Sequence, residues 1–451
     1  MSALTILSLP NELLIAIAAA GQEDTRSHSP TAQKSEWILS RLCRRLRNTV
    51  VGAPTLWTNI EGSRDYFNTP GHRVRRSGEI LRLYLHRSIP LNVAVSLRIV
   101  AGVDSETLAD WIIQVAAEIN RVESLSVVLA SAQNEFTEEF APLRCLAAPN
   151  LLHLEIANIS TTSRQRCPLE LFSAGAPKLS CVRMYGFFPS PVPPWVSTLT
   201  HLKIENESRQ LFHTSADRRI YLSLIRTQPI SLVHLHLDIS MNFNTLPTDY
   251  QIHIPSLEFF AVHVDDTEGQ EYLRDIMDFV DCPALTELVV IGSHGDQFLL
   301  VLNMSRFPRV SFPVLRALSL INLDEDGCSC EQDMPHPIRT ISSHATPLFP
   351  ALSSLAIINH CFTPQLVKEI MGPEALPWPS LRTLTLCPSE NISGVRSAVG
   401  DAVRQSPQSI PILRLSPALL FPSDWVEGPL DAIEVVDLEE VVKPFSGYWR
   451  A

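Results

Sequence analysis

The residues best suited to bind a metal ion lie together in one acidic stretch of the chain. Cys328 and Cys330 are separated by a single serine, and His336, His344 and Cys361 follow. Thiolates and imidazoles are good zinc ligands, but structural zinc sites usually hold the metal with a Cys-x-x-Cys pair, and Cys-x-Cys is tight for that geometry. Carboxylates surround the two cysteines at Asp324, Glu325, Asp326 and Glu331. We therefore expect a mobile loop without a metal, with a zinc site as the alternative.

The patterns that usually carry catalysis do not occur in this sequence. It contains no Gly-x-Ser-x-Gly turn, no phosphate-binding loop and no His-Glu-x-x-His pair. The 17 glycines also leave few candidates for a phosphate cradle. We predict a protein that is not an enzyme and that needs no cofactor. A hydrolase or metal enzyme built from the long inserts is the alternative.

Cysteine usage and hydropathy indicate an intracellular protein. The nine cysteines are scattered and odd in number, which is typical of reduced thiols rather than of a disulfide framework. No window reaches the run of about 18 apolar residues that a transmembrane helix needs. The apolar residues 15–20 are not preceded by Lys or Arg, which argues against a secretion signal. We expect a cytoplasmic or nuclear protein with no membrane partner.

The charge distribution argues against nucleic-acid binding. The net charge is −12, yet residues 1–87 contain 12 Lys and Arg against 7 Asp and Glu, so this part is +5 and the rest is −17. Neutralising phosphates requires clustered Lys and Arg, which the acidic body lacks. The small basic excess near the N-terminus better suits an acidic protein partner.

One phrase returns about ten times after residue 120. It reads Pro-x-Leu-x-x-Leu-x-Leu, with close substitutes for the leucines, and versions without the proline occur at residues 122–127, 199–204 and 232–237. The prolines of the other copies are Pro149, Pro177, Pro255, Pro283, Pro313, Pro350 and Pro379. Steps between copies run from about 20 to 37 residues, most near 28 to 30, which is the period of a leucine-rich repeat.

Each copy predicts one strand of a parallel sheet. The leucines point inward and the residues between them form an exposed ribbon, because side chains alternate across a strand. The residues that mark the strands are Leu125, Leu154, Val182, Leu202, Leu235, Phe260, Leu288, Leu318, Leu355 and Leu384. Ribbon positions that could contact a target protein are His153, Glu155, Lys203, His234 and His236.

Helical periodicity separates several of these strands. Apolar residues recur on one face over residues 107–119 and 271–280, and further helices are expected at residues 219–227, 364–371 and 395–405. Strand, helix and proline in alternation predict an α/β solenoid with a parallel sheet. The asparagines that commonly stabilise such solenoids are few, at Asn158, Asn206, Asn322 and Asn359, so we expect an irregular repeat.

The sequence suggests three parts. Residues 1–61 form a small all-α helical domain, residues 62–79 a polar linker containing Pro70-Gly71, and residues 80–451 the solenoid. Within residues 80–97, alternating apolar residues on either side of Pro90 predict two paired first strands. The acidic residues 424–440 are expected to cap the end of the solenoid, with a recruitment peptide as the alternative.

The N-terminal part contains two apolar stripes of helical period. Pro10 suits the first turn of a helix, and Leu13, Leu14 and Ile17 follow on one side. A second stripe recurs every fourth residue, and four arginines flank it, at positions 41, 44, 45 and 47. The members of this second stripe are Ile38, Leu42, Leu46 and Val50. Two short helices cannot bury these stripes alone.

Residues 9–60 resemble an F-box, the helical module that docks on the Skp adaptor of cullin-based ubiquitin ligases. The Cys-Arg-Arg at residues 43–45 and the Pro-x-Leu-Trp at residues 54–57 are similar to the F-box families of mushroom-forming fungi. In place of the family's next tryptophan this chain has Leu46, and its polar spacer, residues 21–35, is long and should loop out.

The resemblance implies a substrate receptor. The chain would bind a Skp-family adaptor, and through it a cullin, and its repeats would recruit an unknown protein target. Other subunits would supply the catalysis. The resemblance assigns the adaptor-binding surface to Leu9, Pro10, Leu13, Leu14, Ile17, Leu42, Leu46, Val50, Leu56 and Trp57. The alternative is a non-catalytic leucine-rich-repeat scaffold unconnected to ubiquitin, with the N-terminal helices only as a cap.

Overall fold

The structure is a computed structural model of the 451-residue chain. It divides into two compact units, residues 1–229 and residues 230–451, which are described separately. The residues described are 6–28, 35–63, 73–100, 105–130, 138–158, 167–189, 194–205, 231–237, 252–263, 280–291, 312–321, 349–360, 380–388, 397, 399, 401, 412–415 and 433–435.

Three helices open the first unit: α1 (Asn11–His28), α2 (Ser35–Leu42) and α3 (Arg44–Val51). The second predicted stripe is therefore divided between two helices. Cys43 separates them with an extended backbone, and its Sγ accepts a hydrogen bond from the Leu46 N–H at 3.5 Å. The N–H groups in the first turn of a helix have no acceptor within the helix. The Cys43 thiol supplies one for Leu46 and thereby caps α3.

The first helix is longer than the sequence predicts. We expected residues 21–35 to loop out, but α1 continues through residue 28, so this prediction is wrong for residues 21–28. Gln22, within the extension, donates from Nε2 to the Leu56 carbonyl at 2.8 Å. The polar end of α1 is thus attached to the segment that follows α3.

Two helices follow in the first unit, α4 (Arg73–Arg87) and α5 (Ser105–Ala117), and a short α6 (Ala141–Arg144) comes later. We predicted a strand over residues 81–85, and this prediction is wrong because they belong to α4. Leu81, Tyr84 and Leu85 are buried at the spacing of one helical face. The predicted helix at residues 107–119 is confirmed by α5 and a short 3-10 helix, Ile119–Arg121.

Eight strands lie within the described residues of the first unit. Six of them form one parallel sheet in the order β1-β2-β3-β4-β6-β8, and β5 pairs with β7 separately. Their bounds are β1 (Asn59–Ser63), β2 (Val93–Val100), β3 (Val122–Ala130), β4 (His153–Asn158), β5 (Cys167–Leu169), β6 (Cys181–Tyr185), β7 (Phe187–Pro189) and β8 (His201–Glu205). The sheet begins with β1, which the sequence pattern did not identify.

The second unit repeats this architecture. Eight parallel strands follow the order β9-β11-β13-β14-β15-β16-β17-β18, and β10 pairs with β12. Their bounds are β9 (His234–Leu237), β10 (Ile252–His253), β11 (Phe259–His263), β12 (Val280–Asp281), β13 (Glu287–Ile291), β14 (Ala317–Ile321), β15 (Ser354–His360), β16 (Thr383–Pro388), β17 (Ile412–Leu415) and β18 (Ile433–Val435).

Both units are parallel β solenoids, and the described connections of the first unit contain helices, as an α/β repeat predicts. The strand β18 lies inside the acidic segment 424–440. The helices predicted at residues 219–227 and 364–371 lie outside the described residues, as do residues 271–279 of a third. Of the helix predicted at 395–405, the described residues Ser397, Val399 and Asp401 are helical.

The predicted strand markers stand side by side in the sheets. In the first unit Leu154 pairs with Leu125 and with Val182, which pairs in turn with Leu202. The second unit aligns its markers in the same way from Leu235 to Leu384, and the row continues to Leu413. Since all of these side chains are buried, the repeated leucines fix the register of the strands.

The Pro-x-Leu phrase is a turn in front of each strand. In Cys282-Pro283-Ala284-Leu285, the Leu285 N–H donates to the Cys282 carbonyl at 3.0 Å, which places proline at the second turn position, where its fixed φ fits. Five other copies make the same bond. Its acceptors are the carbonyls of Ala148, Ala176, Ile254, Phe312 and Phe349, all with buried side chains.

Candidate functional site

The N-terminal helices expose an unusual number of large apolar side chains. Eight such side chains are exposed among the described residues, and five of them lie within the first 42 positions. We call these five the N-terminal apolar residues: Ile6, Leu13, Ile17, Ile38 and Leu42. Leu42 is the most exposed at 63%. Scattered apolar residues are normal on a protein surface, but a concentration of this kind marks an interaction site.

The exposed side chains come in helical pairs. Leu13 and Ile17 are four residues apart on α1, and Ile38 and Leu42 are four residues apart on α2. Side chains at this spacing lie on the same helix face. Each helix therefore presents a short apolar stripe outward. Ile38, and Ile6 in the turn before α1, are exposed residues that the sequence analysis did not assign to a site.

The ten residues predicted to bind the adaptor fall into two groups. Leu13, Ile17, Leu42 and Pro10 are exposed, and Leu9 is half-buried. The others belong to the core: Leu14, Leu46, Val50, Leu56 and Trp57 are at most 3% exposed. The Trp57 Nε1–H donates to the Val50 carbonyl at 2.9 Å, so its polar atom has a partner inside. The second group can support a binding surface but cannot touch a partner.

Hydrogen bonds join the three helices. The Arg45 Nη2 donates to the Leu9 carbonyl at 2.7 Å, the Thr49 hydroxyl lies 3.2 Å from the Asn11 Oδ1, and the Ser35 hydroxyl donates to the Ala18 carbonyl at 2.8 Å. The side chains of Arg41, Arg44, Arg45 and Arg47 are exposed. The apolar stripes thus lie on a basic module, which favours an acidic partner.

A row of polar side chains crosses the sheet of the first unit. Ser126, Glu155, Arg183 and Lys203 stand in register on four neighbouring strands. The Ser126 hydroxyl donates to Glu155 Oε2 at 2.8 Å, and Arg183 Nη1 lies 3.3 Å from Glu155 Oε1. Arg183 Nε also lies 3.0 Å from Glu205 Oε2. We call this row, with Glu205, the ribbon network.

The ribbon network is only partly accessible. His153 is exposed, and Glu155 and Arg183 are about one-third exposed at 34% and 32%. Lys203 was expected on the exposed ribbon, but this is wrong, because its side chain is 1% exposed and its Nζ lies 2.6 Å from Glu205 Oε1. An ammonium group leaves water only when a carboxylate compensates its charge, and Glu205 provides one.

The corresponding face of the second unit is not a polar ribbon. His236 was expected to be exposed and is 6% exposed, so that expectation is also wrong. A cluster of buried apolar side chains occupies this face in β11 to β16: Phe259, Ala261, Val289, Ile291, Ile321, Ala356, Ile358 and Cys387. This face of the sheet is therefore buried rather than solvent-exposed, and the polar side chains of His236, Ser319 and Thr385 are buried with it. The alanines and valine that lie between the repeated leucines, at positions 261, 289 and 356, could have indicated from the sequence that this face is buried.

Burial changes the pKa values of two cysteines and one histidine in or beside the strands. Burial, with the nearby Glu155 carboxylate, raises the pKa of the Cys181 thiol to about 11, although Arg183 opposes this. Burial raises the pKa of Cys282 to about 12. Both thiols are therefore protonated near neutral pH and are poor nucleophiles. His234 is half-buried, and burial lowers its pKa while Glu258 acts in the opposite direction.

The predicted metal candidates lie outside the described residues: Cys328, Cys330, His336, His344 and Cys361. Among the residues that are described, no group of three or more His, Cys, Asp and Glu side chains could hold a metal ion. None of the described helices combines the length and apolarity required to cross a membrane.

Comparison of the whole chain with models of known protein families and with curated proteins gave no match.

Proposed function

We propose that this protein is an F-box substrate receptor of a cullin-based ubiquitin ligase. Its N-terminal helices would dock on a Skp-family adaptor, and its leucine-rich-repeat solenoid would bind a protein target in the cytosol or nucleus. The observation that carries the proposal is the pair of exposed apolar stripes, Leu13 with Ile17 and Ile38 with Leu42. Sequence resemblance and surface chemistry point to the same helices.

The apolar stripes would contribute to docking together with the charges beside them. Complete burial of one leucine or isoleucine side chain contributes about 1.5–3 kcal/mol, and these four are already roughly half-buried, so each would contribute about 1 kcal/mol. The four arginines on α2 and α3 would add attraction to an acidic adaptor surface and speed its association. Both terms fit a protein partner better than a small molecule.

Target recognition is assigned to the first unit. His153, Glu155 and Arg183 are accessible groups of its ribbon, whereas Lys203 and, in the second unit, His236 are too buried to make direct contact. His234 of the second unit is half-buried and remains a candidate contact. The receptor itself would perform no chemistry. It would hold the target near the ubiquitin-carrying subunit. The higher effective concentration of the target there would accelerate ubiquitin transfer.

A binding assay with purified full-length protein and a Skp adaptor from the same host tests the proposal. Leu13→Asp with Ile17→Asp should abolish adaptor binding, because charges replace an exposed apolar pair without disturbing the core. Ile113→Asp is the matched control, since Ile113 is 55% exposed on α5. Absence of adaptor binding by the wild type, or unchanged binding by the double variant, would contradict the proposal.

The alternative function is a scaffold whose N-terminal helices only cap the solenoid. The observation that favours it is the contact between the segment that follows α3 and helix α4, where the rings of Trp57 and Tyr84 meet edge to face at 4.9 Å. A cap needs no adaptor, so this alternative predicts that the charged variant of α1 and the control variant behave alike. Binding of target by adaptor-free protein does not discriminate between the two functions.

A further inference from the structure

Helix α2 is attached to the protein in an unusual way. A short amphipathic helix normally packs by burying its apolar stripe. All eight residues of α2 are described, and only Glu36 is buried, at 0% exposure. Ile38 and Leu42 are 43% and 63% exposed. The helix therefore buries a carboxylate, half-buries Trp37 and Leu39, and leaves Ile38 and Leu42 outside.

The Glu36 carboxylate has hydrogen-bond donors from two other helices. Gln22 of α1 donates from Nε2 to Glu36 Oε2 at 2.8 Å, and the Tyr84 hydroxyl of α4 donates to Glu36 Oε1. The Trp37 Nε1–H of α2 in turn donates to the Tyr84 oxygen at 2.7 Å. Buried carboxylates are tolerated when donors satisfy them, and Glu36 meets this condition.

We propose that Glu36, Tyr84 and Gln22 form a polar latch that positions α2, so that Ile38 and Leu42 stay available to a partner. The assignment of that partner as a Skp adaptor rests on the function proposed above. The latch itself does not. Glu36 and Tyr84 are positioning residues, because they act through the placement of the helix and are themselves too buried to contact a partner.

Aromatic packing explains why the latch has a defined geometry. The Tyr84 ring lies 6.5 Å from the Trp37 ring and 4.9 Å from the Trp57 ring, and the Arg87 guanidinium lies 4.4 Å from the centre of the Trp57 ring. These contacts fix the ring of Tyr84, and therefore its hydroxyl, opposite α2. Because α4 directly precedes β2 in the chain, the latch connects α2 to the repeat sheet of the same unit.

Hydrogen exchange of the full-length protein tests the latch without any partner. Tyr84→Phe removes the hydroxyl and leaves both Glu36 and the Trp37 N–H short of a partner, so the amides of residues 36–42 should exchange about tenfold faster or more. Glu36→Gln should also accelerate exchange in α2. The new side-chain amide replaces one of the two accepting oxygens with an NH2 group, which cannot accept a hydrogen bond from Gln22 or Tyr84. Leu85→Val, the neighbouring buried position on α4, is the control and should leave α2 protected.

The exposed stripe provides the decisive comparison. If the latch rather than apolar burial holds α2, Ile38→Ser with Leu42→Ser should leave the exchange of residues 36–42 unchanged. The proposal is overturned if this double variant exchanges as fast as Tyr84→Phe, or if Tyr84→Phe and Glu36→Gln both exchange like the wild type. Should either single variant fail to fold, the other and the exposed pair still decide the result.

Adaptor affinity then separates the latch from the proposed function. With a functional adaptor site, Tyr84→Phe should weaken adaptor binding while the serine pair abolishes it. If the wild type binds no adaptor, the proposed function fails, and the exchange data still decide whether the latch exists. If Tyr84→Phe accelerates exchange in α2 but binds adaptor as tightly as the wild type, the latch does not position the docking residues, and this part of the proposal is wrong.

Discussion

Lys203 and Glu205 form a close ion pair on strand β8, with 2.6 Å between Nζ and Oε1, although the lysine is 1% exposed and the glutamate 15%. Their side chains leave the strand on the same face, two residues apart. Glu205 also binds Arg183 of β6, so one carboxylate serves two cations. The buried lysine is therefore paired with a residue that the repeat pattern does not single out.

Removing the carboxylate should cost more than removing the lysine charge. Glu205→Gln leaves a buried ammonium group without this carboxylate, and we expect it to lower the free energy of unfolding by about 3–5 kcal/mol. Lys203→Met removes the charge and keeps a side chain of similar length, so its cost should be smaller. Chemical denaturation of both variants measures this. Equal losses of stability in the two variants would show that leaving the lysine charge without its carboxylate is not the main cause of the destabilisation.

The turn before each strand should depend on its leucine more than on its proline. Leu285 is fully buried, so Leu285→Ala should lower the free energy of unfolding by about 2–5 kcal/mol. Pro283→Ala retains the hydrogen bond between Leu285 and Cys282 and releases only the fixed φ, which is worth about 0.4–1 kcal/mol. Denaturation midpoints for the two variants check the order, and a reversed order would contradict the proposed role of the turn.

Acidification should destabilise the fold through His234. Burial lowers the pKa of this histidine below 6.5, so the unfolded chain binds a proton that the folded chain resists. Stability from this group is therefore present above pH 6.5 and is lost as the pH falls through that value. Comparing the denaturation of the wild type and His234→Asn at several pH values measures the effect. The variant should show a flatter pH dependence, and identical profiles would exclude His234 as a contributor.

The cysteines should differ in reactivity towards a thiol-alkylating reagent. Cys145 is exposed, whereas Cys282 and Cys387 are buried, and Cys181 has a pKa of about 11. Only thiolates react quickly, so among these four we expect Cys145 to be labelled first near neutral pH. Mass spectrometry of the native protein after brief alkylation identifies the order, with unfolded protein as the control for intrinsic reactivity. Early labelling of Cys181 would contradict the conclusion that burial keeps this thiol protonated.

The repeat could be predicted from the sequence because its signal is local and recurs. Each copy places leucines at the same distance after a proline, and alternation along a strand then determines which side chains are buried. Leu154, Leu288 and Leu355 occupy the aligned positions that this period requires. The same reasoning failed at residues 81–85, where alternating leucines suggested a strand. Buried Tyr84 reveals the helical face there, and a tyrosine is a weak apolar signal.

The solvent exposure of the ribbon residues could not be predicted from the sequence. The sequence shows which side chains point away from the leucines, but it does not show what lies against them. Lys203 and His236 occupy the expected face and are nevertheless buried. The leucine period determines the face on which a side chain lies, but not how deeply that face is buried. Of the predicted contact residues, Lys203 and His236 are too buried for direct contact, whereas His153, Glu155 and the half-buried His234 keep exposed surface.

By itself the sequence determined the repeated strands, their parallel order and the presence of two apolar stripes at the N-terminus, because period and residue type act over short distances. Only the tertiary structure decided which members of those stripes stay exposed. Ile38 and Leu42 remain outside because α2 is attached through Glu36, whose donors Gln22 and Tyr84 come from two other helices. A buried carboxylate needs partners in three dimensions, and those partners are set by packing rather than by spacing along the chain.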